Sequence, residues 1–250
     1  MLRFFSQKTG LRYPFASYKQ VFVQDYPWGA GNASGSTLTE NMIDDARIHE
    51  DYRWLWDGLE AEGVAHQWFG VTTSARDLRH VWLTRGFAHY FDGLYNENKN
   101  GRREFLLWHR AGDLATHLAD WSAGVREPIV PSDLAKATEA ANGNGPYVRG
   151  ALVLHALRTQ LGDEIFWAAI RRYVATQASR TVTTEDFRKA VEEAAGEPMG
   201  WFFEQWLEKV GHPIFRVSKS YDAANKTLKI SVVQTQTGEP KGAVPYVEFF

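Results

Sequence analysis

The sequence predicts an α+β fold in which a small sheet is followed by a helical lobe and then by a β segment. Three observations support this prediction. The run from Tyr18 to Gln24 alternates in the manner of a strand. Residues 57–209 have mainly helical periodicity. After Gly211-His212-Pro213 the sequence changes to short alternating segments separated by turn residues.

The elements follow in order along the chain. A first helix is expected to end at Gly10, and the glycine- and serine-rich stretch 29–36 is either a flexible loop or an edge strand. Helices are expected near residues 57–69, 77–96, 102–120, 147–161, 163–178, 184–195 and 199–209. Thr183 and Asp186 have the spacing of a capping box before one of them. Strands are expected at residues 214–220, 227–235 and 244–250.

Composition excludes several classes of function. The 28 basic and 30 acidic residues of this 250-residue chain are interleaved, so no basic surface is expected for nucleic acid or a membrane. The absence of cysteine excludes disulfides, thiol catalysis and Cys-ligated zinc. No apolar run approaches the ~18 residues of a membrane span. The first residues are too few and too polar for a signal peptide, so a cytoplasmic location is the default expectation.

Several short strings together indicate a family. They are Phe4-Phe5-Ser6-Gln7-Lys8-Thr9-Gly10, His66-Gln67-Trp68-Phe69-Gly70, Gly86-Phe87-Ala88, Pro146-Tyr147 and Gly211-His212-Pro213. In this order and spacing the chain resembles the aminopeptidase N family of gluzincin zinc metallopeptidases. The resemblance implies a thermolysin-like peptidase domain over residues 1–213, mostly helical with a small sheet. It also implies the start of a β-sandwich over residues 214–250, whose exposed strand edges would favour self-association.

The resemblance also shows which zinc ligands have changed. The family uses H-E-x-x-H on a helix and a more distant Glu, and the first Glu accepts a proton from the zinc-bound water. The corresponding residues here are Glu62-Gly63-Val64-Ala65-His66, and the distant position is Arg85. Electrostatic repulsion between zinc and a guanidinium ~4 Å away costs ~8 kcal/mol at an effective dielectric of ~20. The binding free energy of zinc in a complete structural site is ~10–16 kcal/mol. We therefore expect no cofactor, with Glu62, His66 and Arg85 as vestigial positions.

Three hypotheses for the altered site remain open. Arg85 could replace the metal by pairing with Glu62, or both side chains could simply point to solvent. Alternatively, Glu62, His66 and His89 could form a rearranged zinc site, because His89 lies four residues after Arg85 on the same helix face. The last hypothesis would make the protein an active zinc-dependent aminopeptidase.

The resemblance identifies substrate-facing positions as well. The family motif G-A-M-E-N lies on an edge strand, binds the substrate main chain and uses its Glu to hold the free α-amino group. Here the motif is Gly29-Ala30-Gly31-Asn32, so Gly31 replaces that Glu. Tyr147 matches the catalytic tyrosine that stabilises the oxyanion. We predict an inactive aminopeptidase-like module that binds a peptide or protein chain through Gly29–Asn32; a truncated product without function is a further alternative.

Overall fold

The computed structural model describes residues 1–236. Its α-helices are α1 (Leu2–Thr9), α2 (Ala46–Ala65), α3 (Trp82–Asn100), α4 (Arg102–Glu104), α5 (Gly112–Ser122), α6 (Leu134–Ala140), α7 (Gly150–Gln177), α8 (Thr184–Ala195) and α9 (Gly200–Phe203). Its strands are β1 (Lys19–Val23), β2 (Gly29–Asn32), β3 (Gly35–Thr39), β4 (Thr73–Ala75), β5 (Arg180–Val182), β6 (Phe215–Asp222) and β7 (Thr227–Gln234). Three segments, Phe105–Ala111, Gly145–Arg149 and Glu204–Glu208, are π-helical. Over residues 1–236, no helix combines the length and the apolar character needed to cross a membrane.

The N-terminal sheet places the glycine-rich stretch at an edge. Its strand order is β1-β3-β2, with β1 parallel and β2 antiparallel to β3. Asn32 pairs with Gly35, and Ser34 adopts a φ of 59° in the tight turn between them. The stretch is therefore an ordered hairpin whose β2 strand has one side unpaired among the described residues.

Helix α3 lies at the centre of an aromatic core. It contacts α2 on one side and α7 on the other, and α8 covers α7. Its Phe87, Tyr90 and Phe91 are fully buried, and Phe91 packs against Phe5 of α1 and against Phe69. The expected mostly helical α+β fold with small sheets is confirmed, and the core fixes α3 relative to α2.

Helix α2 differs from its predicted bounds, whereas the break in α7 agrees with the prediction. Helix α2 begins at Ala46 rather than near residue 57, because the Asp45 side chain accepts hydrogen bonds from the backbone of Arg47 and Ile48 at 2.8 and 2.9 Å. Helix α7 is interrupted at Gly162, whose φ is 75° and ψ 164°. This break lies where the sequence predicts one helix to end and the next to begin.

The C-terminal part of the described chain is a hairpin. Strands β6 and β7 pair antiparallel from Phe215 with Gln234 to Asp222 with Thr227, and nearly all their residues are exposed. The third predicted strand, residues 244–250, lies outside the described residues. The division at residue 214 and self-association through this segment stay predictions.

Candidate functional site

Helices α2 and α3 bring the altered zinc positions together. Glu62 and His66 lie in the last turns of α2, where i,i+4 spacing puts them on one face. The Nε2 atom of His66 is 3.8 Å from Oε1 of Glu62, and its Nδ1 is hydrogen-bonded to the carbonyl of Phe69 at 3.0 Å. Arg85 and His89 lie on the facing helix α3.

Tyr147 lies directly beside Glu62. Its π-helical segment packs against α3, and its hydroxyl donates to Oε2 of Glu62 at 2.7 Å. Burial raises the pKa of Tyr147, and the Glu62 carboxylate raises it further, so the phenol stays protonated. Burial opposes the charge of Glu62, but His66, His89 and the Tyr147 hydroxyl together lower the pKa of Glu62. Glu62 is therefore an anion held by neighbouring donors.

Arg85 does not replace the metal. Its guanidinium donates to the carbonyl of Ala141 and lies 5.4 Å from the ring centre of Tyr147. Among the described residues no ion pair joins it to Glu62, so that predicted pair is wrong. The long side chain reaches a carbonyl beyond the site, while Glu62 is satisfied by Tyr147 and His66. Arg85 and Glu62 therefore each have partners of their own.

Residue 63, which the resemblance equates with the family's general base, lies against β3. A Cβ atom on Gly63 would lie 2.2 Å from Oγ of Ser36 and 3.4 Å from the hydroxyl of Tyr18. Ser36 and Tyr18 are hydrogen-bonded to each other in this space. The close approach of α2 to β3 therefore favours glycine at residue 63, because a Cβ atom there requires Ser36 to move.

Gly31, which the resemblance equates with the amine-binding glutamate, is crowded in the same way. A Cβ atom on Gly31 would lie 2.6 Å from Cβ of His66. The side chain of Gln67 fixes the hairpin on α2, because it donates to the carbonyl of Asn32 at 2.8 Å and accepts from the backbone of Ser34 at 2.9 Å. Strand β2 thus packs on α2 and cannot carry a large side chain at residue 31.

His89 belongs to a group that the sequence analysis did not identify. Together with Asp92 and His109 it offers ligand atoms that all lie within 4.8 Å of one another. Oδ2 of Asp92 is 3.6 Å from Nδ1 of His89 and 3.8 Å from Nδ1 of His109. Within residues 1–236 this is the set that comes together as a metal-binding group, and it differs from the hypothetical set of Glu62, His66 and His89.

Charged residues surround His89. Its Nε2 is 2.8 Å from Oδ1 of Asp113, which is paired with Arg110 at 2.7 Å. Burial lowers the pKa of His89, but the carboxylates of Asp113 and Asp92 outweigh it and raise the pKa to about 10. Burial lowers the pKa of His109. His89 is thus an imidazolium between two carboxylates, and His109 is a neutral imidazole.

A cavity of about 170 Å³ joins the two groups. His89, Asp92 and His109 line one part of it, and Glu62 and Tyr147 line another. The rings of His89 and Tyr147 stack with centres 4.3 Å apart. The indoles of Trp54 and Trp108, stacked 5.5 Å apart, complete the lining.

Comparison with known proteins identifies the family. Residues 1–206 match the peptidase family M1 domain. The chain belongs to the peptidase M1 family. Aminopeptidase N of Streptomyces lividans is 25% identical over 248 residues, covering 96% of this chain and 28% of the relative. Transcription initiation factor TFIID subunit 2 of Drosophila melanogaster is 22% identical, covering 92% of this chain and 22% of that protein.

A solved M1 structure has the same fold. It is a mutant M1 zinc metallopeptidase from Deinococcus radiodurans bound to a Tyr-Ser-Ala substrate, with a TM-score of 0.65 and 24% identity. The matched region covers 82% of our chain and 42% of the Deinococcus chain. Our chain spans about a quarter of the length of the curated relatives that it matches.

The M1 assignment confirms the resemblance and corrects one expectation. The prediction that the protein takes no cofactor is wrong. The M1 family is zinc-dependent, and the described residues contain the group of His89, Asp92 and His109, which could hold a metal ion. The sequence analysis weighed residues 62, 66, 85 and 89, but it did not consider Asp92 or His109, and His109 comes from a different segment of the chain. Tyr147 and Gly29–Asn32 as functional residues stay predictions.

Only one local signal in the sequence indicates the group of His89, Asp92 and His109. His89 and Asp92 are three residues apart on α3, a spacing that places two ligands on one helix face. Nothing in the sequence connects this pair to His109, because their contact depends on how the π-helical segment packs against α3.

Proposed function

We propose that this M1 domain binds an extended peptide or protein segment and does not perform the family's hydrolysis at residues 62, 66 and 85. The glycine at residue 63 supports this proposal most directly, because the resemblance equates this residue with the family's general base and glycine has no group that accepts a proton. Loss of general acid–base catalysis alone typically lowers a rate by ~10²–10⁴.

Strand β2 offers a surface for binding. Its outer side is unpaired among the described residues, and its residues Gly29, Ala30 and Gly31 are half-buried beside α2. An extended peptide adds to such an edge through main-chain hydrogen bonds. Trp28, which precedes the strand, is 66% exposed and offers an apolar contact.

The relatives are compatible with either a catalytic or a non-catalytic role for an M1 domain. One is named as an aminopeptidase, and another is named as a subunit of a transcription initiation factor. A binding role for this chain therefore has a precedent among the names of its relatives.

Fluorescence anisotropy with labelled hexapeptides of alternating valine and threonine tests the proposal. We expect saturable binding that is the same for free and N-acetylated peptides, because Gly31 provides no group for the amine. Methylation of alternate peptide nitrogens should weaken binding at least ~10-fold, since strand addition needs those donors. Binding that requires a free amine, or no saturable binding at all, would contradict the proposal.

A further inference from the structure

Three buried polar atoms on α3 have no hydrogen-bond partner among the described residues. One is Oδ1 of Asn96, and the other two are Nδ1 of His89 and Oδ1 of Asp92. Asp92 is only 5% exposed. Buried polar atoms are nearly always paired, because leaving one unpaired is costly. His89 and Asp92 both belong to the group that converges with His109. We propose that His89, Asp92 and His109 bind a divalent transition-metal ion of the zinc type, away from the family's ligand positions.

The distances suit such an ion. Two ligand atoms, each ~2.1 Å from a tetrahedral zinc ion, lie ~3.4 Å apart. The two measured separations from Oδ2 of Asp92, 3.6 Å to His89 and 3.8 Å to His109, exceed this by only a few tenths of an ångström. Two imidazoles and a carboxylate are ligand types that zinc and other first-row divalent ions take. All three ligand atoms lie within 4.8 Å of one another, so binding an ion requires the side chains to draw closer together.

Neighbouring residues orient the ligands. Asp113 accepts from Nε2 of His89 at 2.8 Å and is itself held by Arg110. A carboxylate on the far nitrogen of a histidine is the usual support of a metal-binding imidazole. It holds a proton on Nε2 and directs the lone pair of Nδ1 towards Asp92. Asp113 is thus a positioning residue.

Two glycines provide the space for the group. A Cβ atom on Gly93 would lie 3.2 Å from Nδ1 of His109, and one on Gly58 would lie 3.3 Å from Oδ1 of Asp92. Asp92 and Glu62 both line the cavity of about 170 Å³, so a fourth ligand can approach the group from that cavity.

Titration with Co²⁺ and Zn²⁺ tests the inference without requiring any enzymatic activity. The chain is first treated with a chelator and dialysed, and Co²⁺ binding is followed through its visible absorption bands. We expect one equivalent to bind and to be displaced by one equivalent of Zn²⁺. His109→Gln and Asp92→Asn should each weaken binding at least ~100-fold, and Asp113→Asn ~10–100-fold with the Co²⁺ spectrum retained.

The control is His66→Gln, which removes the histidine of the family position and should leave the affinity unchanged. Circular dichroism and thermal melting without added metal establish that each variant is folded. The inference would be overturned if the wild-type protein bound less than one equivalent of Co²⁺ when roughly 100 μM of the ion is added, because the Kd would then lie well above that concentration. It would also be overturned by binding that survives His109→Gln and is lost in His66→Gln. The test is independent of the peptide-binding proposal, because neither β2 nor Gly63 contributes to this group.

Discussion

Alanine at position 63 tests whether the contact between α2 and β3 leaves room for any side chain. In an open helix, replacing glycine by alanine stabilises the fold by ~1 kcal/mol. At Gly63 the new Cβ atom would lie 2.2 Å from Oγ of Ser36, which is far inside contact distance. Relieving that overlap requires movement of Ser36, which is hydrogen-bonded to Tyr18.

The magnitudes determine the sign of the effect. Overpacking a well-packed core costs ~1–3 kcal/mol, and loss of the bond between Ser36 and Tyr18 costs ~1 kcal/mol more. Together these exceed the gain of ~1 kcal/mol in helix propensity. We therefore expect Gly63→Ala to lower the free energy of unfolding by ~1–3 kcal/mol, measured by urea denaturation with tryptophan fluorescence.

Two comparisons isolate the cause. Gly112 lies in a helix with no atom within 4 Å of a built Cβ, so Gly112→Ala should stabilise by up to ~1 kcal/mol. In a Ser36→Ala background the closest overlap disappears, and Gly63→Ala should then be neutral or stabilising. The coupling in this double-mutant cycle should be at least ~1 kcal/mol. If Gly63→Ala stabilises the wild type as much as Gly112→Ala does, the steric explanation is refuted.

Three further predictions concern the surrounding charges. Tyr147→Phe removes the 2.7 Å hydrogen bond to Glu62 and should lower the free energy of unfolding, measured in urea, by ~1–3 kcal/mol. An unchanged free energy of unfolding would mean that this hydrogen bond does not form. Arg85→Ala should lower the free energy of unfolding by only ~1 kcal/mol, because it loses one hydrogen bond to a carbonyl. Arg158→Ala should lower it by ~3 kcal/mol, because it breaks ion pairs with Glu97 and Asp163 at 2.9 and 2.7 Å. Equal losses of stability in thermal melting would contradict this prediction. Burial, aided by nearby arginines, lowers the pKa of His117 and His155 in the folded protein to about 4. In the unfolded chain these histidines have their ordinary pKa of ~6.5, so below that pH the unfolded chain binds more protons than the folded protein does. Stability present at neutral pH should therefore fall between pH ~6.5 and ~4, and the double variant with His117→Gln and His155→Gln should show a shallower decline.

Local signals in the sequence predicted the parts of the fold that have local causes. Helix α8 starts where Thr183 and Asp186 form a capping box, with the backbone of Thr183 donating to Asp186 at 2.8 Å. The break at Gly162 was predicted because glycine separates two helical patterns. The first half of α2 was not predicted, and its residues 46–54 are exposed in the structure.

The candidate site was predictable only where family spacing determines it. That spacing placed Glu62 and His66 on one helix face and Tyr147 near them, as the structure shows. It could not show why residue 63 is glycine, because the cause is Ser36 on a distant strand. It also could not place His109 beside His89, because that contact depends on tertiary packing of two helical segments.

Release of arylamine from aminoacyl arylamides, measured with zinc supplied, tests the central claim most directly. Because the space of the general base is filled by Ser36 and Tyr18, we predict no release above that of a blank containing zinc alone. Saturable turnover by the folded wild-type chain that is abolished in Tyr147→Phe would contradict the account. It would show that this M1 domain hydrolyses peptides despite the glycine at position 63.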